Sequence, residues 1–218
     1  MSHARISAAI VGAALVVSAC GENKPPLDAA SGEVSSAPQG AATAQEPAAS
    51  GQEDALITAR SLVDQALAKA KEWQADAQLT VVTTSLADGP SAGFWFYDFQ
   101  SPSKGTCTRI RAMANGSVEN VGSGDECLLV RPVSAEFVDS PVAFEAALGA
   151  GFKMGDSLQF ALRFQRDKAL AEPRECWVVW SDADGDEEKG ITRGWCMDPA
   201  TGAFVTRLSG YGRIEPLQ

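Results

Sequence analysis

Histidine is all but missing from this chain: its one copy, His3, stands at the extreme N-terminus. The stretch around it reads as a leader that is cut away. One positive charge, Arg5, precedes an apolar run from Ile6 to Val17, too short to span a bilayer as a permanent helix, and small residues follow. The mature protein then has no imidazole. That excludes Ser-His-Asp and Cys-His catalysis, histidine-ligated zinc and imidazole acid–base chemistry. A phosphate-cradling loop is lacking too, since Gly122 and Gly124 have neither the strand–loop–helix setting nor the lysine. Basic charge is scarce, with 18 Lys and Arg against 28 Asp and Glu, a net of −10. Nucleic acid and anionic headgroups repel such a surface, so neither is an expected partner. No Cys-x-x-Cys spacing occurs, which argues against zinc. Carboxylate chemistry or an unusual Ser–Lys pair is all that remains, and the expectation is a protein that is not an enzyme.

What is present begins with Leu15-Val16-Val17-Ser18-Ala19-Cys20. This segment resembles the lipobox of bacterial lipoproteins. The resemblance implies a signal peptide over 1–19, cleavage before Cys20, and acylation of both its thiol and the new N-terminus. Two or more acyl chains hold a protein firmly on a membrane where one holds it marginally. Gly21, not aspartate, follows the cysteine, which by the same resemblance implies the outer membrane, facing the periplasm. An ordinary signal peptide cut near Ala19, with Cys20 incidental, is the competing reading. Residues 20–52 then form a tether of Ala, Ser, Gly, Pro, Gln and Glu, with only Leu27 and Val34 as larger apolar residues. It cannot bury enough surface to offset its ordering entropy and is expected to be disordered. About thirty such residues span roughly 30 Å on average and about 100 Å when taut.

Residues 53–218 have the length of one ordinary domain. Ser50-Gly51-Gln52-Glu53 reads as a capping box, and apolar residues from Ala55 to Trp73 recur at steps of three and four, predicting an amphipathic helix. Strand signals follow at Leu79–Ser85, Gly93–Phe99, Thr106–Met113 and near Val118. The run Phe94-Trp95-Phe96-Tyr97-Asp98-Phe99 is apolar on both alternating faces, and a fully buried strand is favoured over an aromatic binding surface. Ser140 can cap a second helix, with Pro141 in its first turn and Gly149 and Gly151 closing it. Leu158, Phe160, Leu162 and Phe164 alternate with polar or small residues, and strands are expected again at Cys176–Trp180, Ile191–Met197 and Ala203–Leu208. Helix followed by four strands thus occurs twice, over 53–135 and 136–218.

Beyond Cys20, four cysteines remain, Cys107, Cys127, Cys176 and Cys196, and an exported compartment favours disulfides. Three connectivities are open. Sequential pairing is favoured because Cys176 and Cys196 stand symmetrically about a polar turn centred on Asp186, and Cys107 and Cys127 flank the turn signal Asn115-Gly116. Each bridge would close a loop of about twenty residues, worth roughly 3 kcal/mol. The polar turn carries Asp182, Asp184, Asp186 and Glu188 at alternate positions, which begins like a calcium loop. It departs with glycine at the fourth position and Arg193 where a bidentate Glu belongs. A solvated hairpin tip is favoured, so no cofactor is expected, with calcium as the alternative.

Trp177-Val178-Val179, the polar turn, and then Gly194 to Val205 with Asp198-Pro199-Ala200-Thr201-Gly202 resemble the PepSY module, in which a D-x-x-T-G turn joins two strands. Trp95-Phe96-Tyr97 and Asn115-Gly116-Ser117-Val118 echo it in the first half. The resemblance implies an α+β fold with two helix-on-antiparallel-sheet repeats, PepSY/cystatin-like, in one disulfide-stapled domain, and it implies a non-catalytic role. The function expected is that of a membrane-anchored envelope lipoprotein binding another envelope protein or a glycan. A structural or stress-related envelope component, or a glycan hydrolase using paired carboxylates, are the alternatives.

Overall fold

Aromatic residues at alternate positions organise the domain, and Trp95, Tyr97 and Trp177 each donate to a different backbone carbonyl. The computed structural model describes residues 56–85, 87–124, 127–184, 194–209 and 213–214, all within the unit Ala49–Gln218. In chain order they form α1 (Val63–Trp73), β1 (Gln78–Thr84), β2 (Ala87–Asp88), β3 (Ser91–Ala92), β4 (Phe94–Ser101), β5 (Thr106–Met113) and β6 (Val118–Gly124). Then come α2 (Ser140–Gly149), β7 (Leu158–Arg166), β8 (Arg174–Ser181), β9 (Trp195–Met197), β10 (Phe204–Arg207) and β11 (Arg213–Ile214). One antiparallel sheet runs in the order β10-β9-β8-β7-β1-β4-β5-β6, with β11 against β7, while β2 and β3 make a separate hairpin. The domain is therefore α+β, with two helices, a large antiparallel sheet and two disulfides.

The register shows how alternation becomes a core. Ile110, Tyr97, Val82, Leu162, Trp177 and Met197 stand opposite one another across β5, β4, β1, β7, β8 and β9, and all six are fully buried. Removing each such side chain from water contributes roughly 1.5–3 kcal/mol. Both helices lie on this face: Val63, Ala66 and Ala70 of α1 and Ala143, Phe144 and Ala147 of α2 join the same apolar cluster. Small alanines at the contacts let the helices sit close to the aromatic rings. The β1–β7 pairing joins the strands after α1 to those after α2 in one sheet.

Three expectations need correcting. The first helix starts at Val63, not near Ala55, and Leu62 at its N-cap makes no side-chain cap bond. The chain before it has other uses for its backbone. Ile57 exchanges both its backbone groups with Ala92 at 2.9 Å, the Trp95 indole donates to the Ile57 carbonyl at 2.9 Å, and the Tyr97 hydroxyl donates to the Ala59 carbonyl at 2.8 Å. Carbonyls held by the sheet cannot accept helical bonds, so tertiary contacts override the periodicity. The described part of the predicted capping region thus begins at Leu56, and Ser50–Glu53 lie outside the described residues.

The second correction concerns α2, whose N-cap is Asp139 and not Ser140. The Asp139 carboxylate accepts from the Ser140 N–H at 2.8 Å. Ser140, now inside the helix and fully buried, donates its hydroxyl to the Pro90 carbonyl and accepts from the Ala59 N–H. The third correction is to β4, whose run Phe94–Phe99 is fully buried on one face only. Trp95, Tyr97 and Phe99 face the helices; Phe94 and Phe96 are half-buried on the other side, which neither described helix covers.

Two turns match their sequence signals for stated reasons. At Asn115-Gly116 the asparagine carbonyl oxygen accepts from the Ser117 N–H, and Gly116 takes φ +84° with open space around it. At Gly202 the φ is +77° and a Cβ would sit 2.6 Å from Val142 Cγ1, so both backbone and packing require glycine there.

Candidate functional site

The face of the sheet away from the helices is built in rows by the same register. One row reads Gly122, Arg109, Asp98, Val81, Arg163 and Cys176; the next reads Glu119, Arg111, Phe96, Thr83, Ala161, Val178 and Cys196. The two ends of this face differ. At the β8–β9 end, Cys176, Val178, Cys196 and Leu208 form a buried apolar cluster with Leu170 and Val205 packed on it. At the β4–β6 end lies a cleft of about 490 Å³, with Val81, Asp98, Gln100, Arg109, Leu128 and Val130 among its walls. Gly122 and Gly124 on β6 line the cleft without adding a side chain to it.

A strap of coil, Cys127 to Arg131, forms one wall. Gln100, itself 1% exposed, grips it at both groups of one residue: its Nε2 donates to the Val130 carbonyl at 2.8 Å and its Oε1 accepts from the Val130 N–H at 2.9 Å. Further along, the Arg131 guanidinium lies 5.0 Å over the Phe164 ring. At the other end the Cys107–Cys127 disulfide ties the strap to β5. Between these ties Leu128 is 73% exposed.

Two arginines at the β4–β6 end of this face are paired with carboxylates. Arg109 donates to Asp98 through Nε at 2.6 Å and Nη2 at 2.7 Å, a planar fork on a carboxylate. That hydrogen bond raises the arginine pKa above its ordinary value. The same guanidinium sits 5.2 Å over the Phe96 ring, which meets Phe94 edge-on at 5.2 Å. Arg111 is paired with Glu119 beside them. These pairs are partly exposed and each contributes little to stability. What they do is hold a flat aromatic and guanidinium surface in one orientation.

A second cleft of about 530 Å³ lies between Ser134, Glu136, Phe164, Glu172, Arg174 and Asp198. It explains the D-x-x-T-G turn. Asp198 Oδ1 accepts from the Ala200 and Thr201 N–H groups, both at 3.0 Å, and from the Thr201 hydroxyl at 3.1 Å, while Oδ2 pairs with Arg174. Burial pushes this carboxyl upward, but those bonds and the Arg174 charge outweigh it and leave its pKa lowered. The Pro199 carbonyl then accepts from the Val138 N–H at 2.7 Å, docking the turn on the approach to α2. The aspartate is a turn-former here.

Asp76 behaves alike at the surface. It accepts from the Ser101 hydroxyl at 2.7 Å and the Ser103 N–H at 2.9 Å, and these bonds hold its pKa down at about 2. A folded-state pKa below the unfolded value means the folded form binds fewer protons, so its stabilisation is present above the unfolded pKa and is lost as pH falls. Stability should therefore drop between about pH 4 and about pH 2. Asp76→Asn should flatten part of that drop in denaturation midpoints measured at successive pH values. Parallel curves for the two proteins would refute this assignment.

The sequence-derived sites divide as follows. The disulfides join Cys107 to Cys127 and Cys176 to Cys196, the sequential pairing. The second bridge is diagonal: Cys196 stands opposite Val178, and Cys176 lies two residues along the same face. Of the acidic hairpin, Asp186 and Glu188 lie outside the described residues, as does the side chain of Asp184. Asp182 Oδ1 accepts from the Ser157 and Ala183 N–H groups at 3.0 and 3.1 Å, a local cap against Gly155. Among the described residues no cluster of three or more His, Cys, Asp or Glu could hold a metal. Cys20 and its leader lie outside the described residues, and no described helix is long and apolar enough to cross a membrane. Sequence reasoning missed the Asp98–Arg109 fork and the Gln100 grip. The parity of β4, which sets Phe94, Phe96 and Asp98 on one face, was the available signal.

No family model matches this chain, and no curated protein matches it. Among solved structures, the crystal structure of a candidate lipoprotein from Clostridium difficile 630 aligns with a TM-score of 0.40 and 14% identity, over 66% of this chain and 90% of that one. A likeness at that level carries no argument about either fold or function. The class of protein is defined by its own architecture: an α+β domain with one helix-covered sheet face and one open face bearing a strapped cleft.

Proposed function

We propose that this chain is a non-catalytic lipoprotein of the bacterial envelope, anchored through Cys20, whose open sheet face binds another envelope protein. The observation that carries the reading is the inequality of that face: an apolar cluster closes its β8–β9 end, while its β4–β6 end presents the cleft, Phe96 under Arg109, and the exposed Leu128. Half-buried aromatic rings under a partly exposed arginine, beside an apolar hollow, are the chemistry of protein interfaces. Among the described residues that line the cleft, Asp98 is the one carboxylate, and it is forked to Arg109. Glycoside hydrolysis needs a facing pair of carboxyl groups, so this supports binding over carboxylate catalysis. The leader and the residues around Cys20 support lipidation, and Gly21 supports outer-membrane residence facing the periplasm.

A photo-crosslinking residue placed at Leu128 in the lipidated protein in cells should capture one dominant protein. The same probe at Lys69, exposed on α1 over the opposite face, should not. Equal, diffuse capture at both positions would overturn the reading. A glycan adduct at Leu128 alone would keep the site and change its ligand.

A further inference from the structure

We infer that the Cys107–Cys127 disulfide is a reducible latch on the strap that walls the cleft, whereas Cys176–Cys196 is permanent. The inference stands apart from what the cleft binds. The two bridges have the same sequence separation of 20 residues, yet their surroundings are opposite. Cys176 and Cys196 are both fully buried, lie in adjacent paired strands, and are packed under Val178 and Leu208. A thiolate has no approach to them, and the β8–β9 ladder would hold the strands together without the bond.

Cys107 and Cys127 are both partly exposed, and Cys107 lines the cleft. Cys127 belongs to no strand; it is coil beyond the end of β6, held otherwise by its N–H donating to the Gly105 carbonyl at 3.2 Å. Exchange requires access of the attacking thiolate, and exposed bridges are the labile ones. Once this bridge opens, the strap keeps the Gln100 grip on Val130 and the Arg131–Phe164 contact, both at its far end. Among the described residues, its near half, carrying Leu128, then keeps the one backbone bond from the Cys127 N–H to the Gly105 carbonyl. Redox state thereby sets the width of the cleft mouth without touching the helix-covered core.

The step balances with a dithiol as reductant. One of its thiolates attacks a sulfur of the bridge, forming a mixed disulfide and releasing the other cysteine as a thiolate. The second thiol of the reductant then attacks the mixed disulfide, leaves as the oxidised disulfide, and releases the second cysteine. Two electrons and two protons pass to the protein.

The test uses the full-length oxidised protein without denaturant, treated with dithiothreitol and quenched by alkylation, with labelled cysteines mapped by mass spectrometry. Cys107 and Cys127 should be labelled at least about tenfold faster than Cys176 and Cys196. Hydrogen exchange on the product reduced at the first bridge alone should show strap amides from Cys127 to Leu129 exchanging about tenfold faster, with β7, β8 and β9 unchanged. Equal reduction rates at the two bridges would overturn the inference. So would an unchanged strap after reduction, or unfolding of the whole domain, since the bridge would then be a plain structural staple.

Discussion

Trp177→Ala should destabilise the domain by about 3–5 kcal/mol, enough to unfold much of a marginal protein. Trp177 is fully buried in the row that crosses six strands. Its ring meets Phe137 edge-on at 5.5 Å, Trp95 at 6.3 Å and Phe160 at 6.4 Å, so it is the junction between the rings on β4, on β7 and before α2. Truncation removes the transfer energy of the indole and leaves a cavity among rings that the sheet holds in place. It also strips the partly buried Val138 carbonyl of the indole N–H that donates to it at 2.8 Å. Chemical denaturation with both disulfides intact measures this directly. A loss below about 1 kcal/mol would mean the site relaxes freely and the ring junction is not central.

Asp139→Ala should cost roughly 2–4 kcal/mol, more than an ordinary helix cap. The carboxylate does three things at once. Oδ1 accepts from the Ser140 N–H at 2.8 Å, capping α2, and from the Arg60 N–H at 2.9 Å, while Oδ2 accepts from the Thr58 hydroxyl at 2.6 Å. It thereby ties the chain before α1 to the start of α2. Arg60 reinforces the tie by donating to the Phe137 carbonyl at 2.8 Å and lying 5.1 Å over the Phe137 ring. Asp139→Asn keeps one acceptor oxygen and should lose about half as much as alanine. Protease sensitivity near Leu56–Arg60 should rise with the alanine variant. If alanine and asparagine cost the same and the N-terminal segment stays protected, the tie is carried by other contacts.

These two residues also show how unevenly the protein can be read from its chain. Trp177 sits in a short continuous apolar run, Cys176–Trp180, that announces a buried strand, although Cys176 to Val179 are all buried and the run alone does not say which face meets the helices. Asp139 gave no such notice. Ser140 was the more obvious cap beside Pro141, and nothing near position 139 in the chain announces bonds to Thr58 and Arg60, some eighty residues away. The first helix starts late, at Val63, for the same reason: the periodicity of 55–73 is real, but Trp95 and Tyr97 hold the carbonyls of Ile57 and Ala59. Cysteine pairing was legible because a hairpin is local. The diagonal placement of Cys176 was not, because register depends on the full ladder.

Composition alone therefore decided the scarcity of histidine and the excess of acidic over basic residues, while local spacing decided the longer strands, the Asn115-Gly116 turn and the second helix. Those properties depend on residues within a few positions of one another, where backbone geometry and side-chain period suffice. The open face is another matter. That β1 pairs with β7, that the apolar cluster closes one end while glycines and the Gln100-held strap shape the other, and that Arg109 lies over Phe96 all depend on strands brought together from distant parts of the chain. Each such pairing is worth little locally and is chosen by the whole packed sheet, so it could emerge only from the assembled fold.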